Sequence, residues 1–376
     1  MDKLHLPGES IGIIGGGQLG QMMAASAKEK GFKVLVLDPT PNCSAAQVAD
    51  EQIVAEYSDL PALIKLAKQV DVLTYEFENV DAEAIATVKQ YTDVPQGTSA
   101  LVVTQNRIRE KNFLAEHGFP VVEHHIIQSK AEFKTSLEKM GMPAILKTVE
   151  GGYDGKGQLR IEDENYSKDF ADELLESGIC ILEKQIDLYK EVSVVISGNK
   201  NGEQSIFPVI ENEHERNILH ISNCPAMIKP ETQAKCLEVA EQIAKELHLV
   251  GTMCIEFFIS TDHEVFVNEI APRPHNSGHL TIESCNVSQF DTHILGVCNW
   301  PMPKVKLFSS ALMVNLLGQH IYRAKKKIQD HVEWYFHDYG KGLAKPDRKM
   351  GHITILTDEI EATKEAIDKD PIWRKE

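Results

Sequence analysis

Several features are missing from this chain, and each absence removes a class of protein. No run of about 18 apolar residues occurs, so no membrane-spanning helix is expected. The opening Met-Asp-Lys-Leu-His-Leu-Pro-Gly-Glu lacks the apolar core of a secretory signal. The seven cysteines (Cys43, Cys180, Cys224, Cys236, Cys254, Cys285 and Cys298) form no CxxC pair and no metal-ligand spacing. They read as reduced, mostly buried thiols of a cytoplasmic protein. Positive charge is scarce: 39 Lys and Arg stand against 56 Asp and Glu, for a net charge of −17. That balance argues against nucleic acid or an anionic membrane as partner. It leaves room for an anionic small molecule wherever basic residues cluster. No internal repeat or low-complexity linker is visible, and no Gly-Lys-Ser/Thr opens a helix in the manner of a phosphate-binding P-loop.

What is present is a 376-residue chain, 42% apolar and 25% charged, long enough for two or three domains. Its first part alternates short apolar strands with helical stretches. The strand Ser10-Ile-Gly-Ile-Ile runs into Gly15-Gly-Gly-Gln-Leu-Gly20, and a second strand ends at Asp38. Taken alone this is a dinucleotide fingerprint, with Gly15, Gly17 and Gly20 lining the turn and Asp38 placed for a ribose. The same turn also serves α/β domains that bind no NAD, and Asp38-Pro-Thr-Pro also reads as a plain strand-ending turn. Further on, Glu76 and Glu78 follow the strand Val70 to Thr74, at the carboxyl end where open α/β sheets place ligands. Thr104 to His117 reads as one helix with Arg107 in its first turn, where the helix dipole disfavours a cation and a phosphate partner would relieve it.

The central stretch is Lys147-Thr-Val-Glu-Gly-Gly-Tyr-Asp-Gly-Lys-Gly-Gln158. A strand carrying a lysine enters a glycine loop, and a strand leaves it. Glycines let backbone amides approach an anion closely, and the lysine supplies a point charge. The strand ending at Glu183 turns abruptly polar, offering backbone groups to a base. Downstream, Glu256 and Glu269 sit on two apolar strands joined by a short turn, an arrangement that can bring them opposite or nearly opposite one another. Two such carboxylates repel unless a cation lies between them, and oxygen donors together with Asn268 suit Mg²⁺. The plainer alternative pairs one acid with Arg273. The following Ala271-Pro-Arg-Pro-His-Asn-Ser-Gly-His279 is a rigid loop rich in site-type residues, whose two histidines lack a third spaced ligand for zinc. His214 is placed in an acidic loop. Near the end, Lys341, Lys345, Arg348 and Lys349 make a positive cluster in a negative chain, either a solvated loop or a clamp for a phosphorylated substrate.

This ordered set resembles the ATP-grasp superfamily. Four motifs sharpen the likeness: GGGQLGQM near the start, EGGYDGKGQ in the glycine loop, NEIAPRPHNSGH after the second acid, and YGK followed by RKMGH near the end. Together they resemble the N5-carboxyaminoimidazole ribonucleotide synthetase family of purine biosynthesis over essentially the whole chain. The resemblance implies an α/β and α+β protein: a Rossmann-like pre-ATP-grasp domain at 1–103, a lid with its linker helix at 104–187, a core with the metal site at 188–310, and a small C-terminal part with the substrate-phosphate loop at 311–376. It implies a ligase that joins bicarbonate to 5-aminoimidazole ribonucleotide at the expense of ATP, through carboxyphosphate. ATP would be held by Arg107, Lys147, the loop Gly152, Tyr153, Asp154, Gly155, Lys156, Gly157 and Gln158, and by Glu183, Lys184, Gln185 and Ile186. Glu191, His214, Asn268 and Glu269 complete that set. Glu256, Glu269 and Asn268 would hold Mg²⁺, with Mn²⁺ as the alternative. Gln18, Leu19, Glu76, Tyr153, Asp154, Arg273, His275, Asn276, Lys341 and Arg348 would contact the ribonucleotide. Arg273, Lys147, His275 and Asp154 are the expected catalytic groups, and a homodimer is the family expectation.

Three readings compete. A sister ligase using formate and glycinamide ribonucleotide fits the HNSGH and RKMGH text poorly. An NAD-dependent dehydrogenase built on Gly15 to Gly20 leaves the lysine loop and the acid pair unexplained. A non-catalytic nucleotide-binding protein has no use for an intact acid pair and lysine.

Overall fold

The structure, a computed structural model, describes residues 3–151 and 156–373. Gly152, Tyr153, Asp154 and Gly155, expected at the tip of the glycine loop, lie outside the described residues. The strands form three sheets. The first is parallel, in the order Glu51–Ile53, Lys33–Leu37, Ser10–Ile14, Val72–Tyr75. Its three strands inside the edge strand Glu51–Ile53 are apolar on both sides, with Ile13 and Ile14 both buried, as a parallel sheet covered on both faces requires. One face packs on helices Leu60–Ala67 and Ala82–Val88. The other packs on Gln18–Glu29 and on Gln289–Val297, a helix from much later in the chain. Met23 and Ile294 share that core, and Ser26 donates to Asp291 at 2.7 Å. The glycine turn is thereby fastened to the body of the molecule.

The second sheet is antiparallel, in the order His124–Ile127, Cys180–Lys184, Ala144–Thr148, Gln158–Ile161. Helices Lys130–Met140 and Lys168–Ser177, capped by Ser129 and Ser167, cover it through Phe133, Leu146, Leu174 and Leu182. The third sheet has nine strands. Its main path runs Val265–Ala271, Gly251–Ser260, Leu188–Gly198, Ile210–Glu215, Ile218–Cys224, Ala311–Leu317, Lys349–Leu356, Trp334–Asp338. Helix Pro230–Glu246 packs against the Val194, Ile255 and Val267 side of this sheet. Ile221 pairs with Val314, so strands from 188–310 and from 311–376 belong to one sheet. All seven cysteines are buried and free. Among the described residues no helix is long and apolar enough to cross a membrane.

Two local expectations are corrected. The single helix over Thr104 to His117 is two helices, Ser99–Thr104 and Arg107–Glu116. Asn106 breaks it by accepting from the amides of Ile108 and Arg109, both at 3.1 Å, as an N-cap does. His214 lies not in a loop but in the strand Ile210–Glu215, where the register against Ile218–Cys224 slips between Glu213 and His214. The bulge re-aims His214. The acidic sequence of that strand hid it, because its apolar partner supplies the pattern.

Candidate active site

A cavity of about 490 Å³ opens between the lid sheet and one face of the nine-stranded sheet. Lys147, Lys156, Gln158, Glu183, Lys184, Gln185 and Ile186 line it from the lid. Glu191, His214, Glu256, Asn268, Glu269, Arg273, His275 and Asn276 line it from the core, and Arg107 from the linker helix. Sheet register explains the lid side. Ile145 pairs with Glu183 and Lys147 with Ile181, so Lys147 and Glu183 are diagonal neighbours on one face. Lys147 Nζ donates to Glu183 Oε2. Lys111 reaches the other carboxylate oxygen at 3.7 Å and donates to the carbonyl of Asn268 at 2.9 Å. Burial pushes Glu183 up, but Lys147 and Lys111 outweigh it and hold the carboxyl at about 2. The lid lysine is thus held by an anchored carboxylate, and Lys111 ties the lid strand to the acid-bearing strand.

Glu256 and Glu269 are direct partners in the antiparallel pair Gly251–Ser260 and Val265–Ala271. A register shift just after Glu256 marks the spot. Glu256 takes His275 Nε2 at 3.2 Å and Asn268 Nδ2 at 3.4 Å. Arg107 Nη1 lies 3.7 Å from Glu269. Desolvation and the Glu256 charge raise Glu269, whereas burial of Glu256 is outweighed by His275, which lowers it. His275 is raised in turn: burial opposes its charge, and Cys254 and Glu256 override burial. Two carboxylates side by side, with the Asn268 amide next to Glu256, form a donor set that fits a hard divalent cation. The alternative pairing of one acid with Arg273 does not occur. Arg273 instead grips Glu78 on the first domain, through Nε and through Nη2 at 3.2 Å. His214 Nδ1 lies 2.6 Å from Glu191, and although burial disfavours its charge, Glu191 raises it.

The NAD reading fails at the glycine turn itself. The amide of Gly16 donates to Asp38 at 2.8 Å, and those of Gly17 and Gly20 donate to Glu76. Asp38 also accepts from Tyr57 and from the Thr40 amide. The chain's own carboxylates therefore occupy the positions a pyrophosphate and a ribose would need. A Cβ on Gly16 would come within 2.2 Å of Cys43 Sγ, so the glycine there serves close packing.

Comparison with known proteins shows the family. The chain matches the ATP-grasp domain over residues 112–290, the ribonucleotide synthetase preATP-grasp domain over 9–105, and the phosphoribosylaminoimidazole carboxylase C-terminal domain over 311–366. The N5-carboxyaminoimidazole ribonucleotide synthase of Bacillus subtilis (strain 168) is 45% identical over 94% of this chain and 93% of its own. The chain belongs to the N5-carboxyaminoimidazole ribonucleotide synthase family. The crystal structure of the Staphylococcus aureus N5-carboxyaminoimidazole synthetase with ADP superposes with a TM-score of 0.92 at 42% identity, covering 98% of both chains. The Aspergillus clavatus N5-carboxyaminoimidazole synthase, solved with ADP and 5-aminoimidazole ribonucleotide, superposes at 0.88 with 29% identity and covers 97% of both.

In this member of the synthase family the remaining expected residues form a second cluster outside the cavity. Glu76, beneath the glycine turn, lowers its own charge cost through the Gly20 and Gly17 amides, although burial still raises its carboxyl. Lys341 is close enough to Glu76 for each to influence the other's charge. Arg348 Nη1 donates to the carbonyls of Lys341 and Leu343 at 3.2 and 3.3 Å. Gln47 joins the two parts, donating to the Gly340 carbonyl at 2.9 Å. Gln18 and Leu19 begin the helix Gln18–Glu29, whose first amides have no intrahelical acceptor. His279, by contrast, leaves the site: it is fully buried and rings with His352 at 4.8 Å. Sequence reasoning missed Lys111, Glu110 and the partner of Arg273. Glu110 is buried, accepts from the Ile270 amide at 2.7 Å, and is pushed by burial to about 7. The available signal was two adjacent charges, Glu110 and Lys111, both turned inward on a helix that needs an apolar face.

Proposed function

We propose that ATP lies in the cavity between lid and core. Lys147 would meet its phosphates, the segment Glu183 to Ile186 its base, and Glu191 with His214 its sugar. The family reaction is ATP-dependent carboxylation of 5-aminoimidazole ribonucleotide. The observation that supports the placement most strongly is the register pairing of Glu256 with Glu269, facing the Lys147–Glu183 pair across one cavity. Glu256, Glu269 and Asn268 would hold Mg²⁺, with Mn²⁺ as the alternative. That ion would supply charge neutralisation for ATP phosphates.

Bicarbonate oxygen attacks the γ-phosphorus, ADP leaves, and carboxyphosphate forms. Lys147 and Arg273 offset charge on the transferring group, positioning being most of the work in such transfers. Carboxyphosphate then yields phosphate and carbon dioxide beside the exocyclic amine. The amine attacks carbon and loses a proton, leaving the carbamate. Asp154 would receive that proton. His275, held between Glu256 and the Ser277 hydroxyl at 2.8 Å and kept protonated against burial by Cys254 and Glu256, would instead place its charge beside the reacting group. The loop around Gly152, Tyr153, Asp154, Gly155 and Lys156 would close over ATP, because carboxyphosphate must be kept from water. The ribonucleotide phosphate would rest on Lys341, Arg348 and the amides of Gln18 and Leu19, with Glu76 and Asn276 completing the pocket.

An ADP-release assay with the ribonucleotide, with and without bicarbonate, tests this. Turnover should need the ribonucleotide and fall when bicarbonate is removed. ATP turnover indifferent to the ribonucleotide would overturn the assignment. The buried thiols and the biosynthetic substrates support action in the cytoplasm. The homodimer expected of the family is open to test by light scattering.

A further inference from the structure

The two cations expected on the ribonucleotide phosphate sit in a loop with little apolar support, and Leu343 in its middle is 78% exposed. The loop closes on itself through Arg348, whose Nη1 binds the Lys341 and Leu343 carbonyls, and through two short backbone bonds, from the Lys345 amide to Leu343 and from the Arg348 amide to Lys345. Asp347, just before Arg348, has φ +61°, a left-handed conformation that Asp adopts more readily than most non-glycine residues. A polar clamp from two distant elements holds it there. Gln319, on helix Gly318–Lys327, accepts from the Asp347 amide at 3.0 Å and donates to its carboxylate at 3.2 Å. Arg216, at the tip of the hairpin that carries His214, donates to the same carboxylate oxygen at 2.9 Å. The helix lies so near that a Cβ on Gly318 would come within 1.9 Å of the Lys345 carbonyl. Arg216, Gln319 and Asp347 do not line the nucleotide cavity.

We propose that Asp347, clamped by Gln319 and Arg216, is a positioning residue that sets Arg348 for the phosphate of the ribonucleotide. The clamp fixes the peptide from which Arg348 departs, so its guanidinium is pre-oriented before substrate arrives. This inference rests on the reading of Lys341 and Arg348 as the phosphate site.

Steady-state kinetics of Gln319→Ala and Arg216→Ala, with each substrate varied in turn, test it. Each should raise KM for the ribonucleotide about three- to ten-fold, the range expected of one or two exposed polar contacts. KM for ATP, kcat and Tm should stay at wild-type values. Arg216→Lys should recover most of the loss, and added salt should shrink the Arg216→Ala effect. If both alanine variants keep the wild-type KM while Arg348→Ala raises it, the clamp is wrong and the phosphate site stands. If Arg348→Ala also leaves KM unchanged, the phosphate site itself is wrong. Parallel losses in both KM values with a lowered Tm would make these residues merely structural and overturn the proposal.

Discussion

Arg273 holds Glu78 with two nitrogens, Nη2 at 3.2 Å from Oε1 and Nε on the other oxygen. Glu78 belongs to the first domain and Arg273 follows the acid pair of the core, so one ion pair spans the two halves of the site. Burial would depress the charge of Arg273, but Glu78 outweighs it. Glu78→Ala removes the acceptor and frees the guanidinium. ADP release should fall at least tenfold in kcat, because an orienting contact is lost at the reacting centre, while the ATP KM changes little. Full activity in Glu78→Ala would show that Arg273 is oriented by other contacts.

Glu256→Gln and Glu269→Gln should separate metal binding from folding. Each removes one anionic donor and keeps the shape. The Mg²⁺ concentration for half-maximal turnover should rise more than about tenfold in each. The same shift should be seen in the Mg²⁺-dependent rise of Tm with ADP present. An unchanged Mg²⁺ midpoint in both variants would sink the metal assignment.

Burial and the Arg348 charge depress Lys341 to about 8, against a partial opposing pull from Glu76. The ammonium is therefore present at pH 7 and lost as pH rises through about 8 in the free enzyme. KM for the ribonucleotide should climb above that pH, and KM for ATP should not share the inflection. Lys341→Arg keeps its charge throughout this range and should remove the inflection. An inflection that persists in Lys341→Arg would assign it to another group.

Lys111→Met should cost stability rather than turnover first. Lys111 is 2% exposed and is one of two cations on the buried Glu183. Losing one partner of a buried pair costs about 3 kcal/mol, measurable by urea unfolding at pH 7. Glu183 has a folded value lowered to about 2, so its contribution is present above the ordinary carboxylate range and lost as pH falls toward 2. The gap between Lys111→Met and wild type should accordingly narrow between about pH 5 and pH 2. A constant gap would mean that Lys111 acts through packing and its bonds to the Val267 and Asn268 carbonyls rather than through Glu183.

Much of this architecture was readable in order along the chain. The βαβ opening, the lid sheet with its lysine strand, and the hairpin bearing Glu256 and Glu269 all appear where period and turn signals place them. The pairing of those two acids was readable because only a short turn separates their strands, and a short turn leaves few registers. Asn106 was misread because a cap residue inside a helical composition is locally quiet. His214 was misread because an acidic strand takes its burial from neighbours 188–198 and 218–224 rather than from its own pattern.

The sequence by itself determined the family, the order of the elements and the residue types of the site, because glycine loops, strand periodicity and closely linked acids are local properties. Only the tertiary structure decided which charge meets which. The sequence places no signal on contacts between residues far apart, such as Arg273 with Glu78, Lys111 with Glu183, or Arg216 with Asp347. Those partners are chosen when packed sheets bring them together and burial makes an unpaired charge costly. The same physics settled the glycine turn: its amides were open to any anion on paper, and in the fold Asp38 and Glu76 already satisfy three of them.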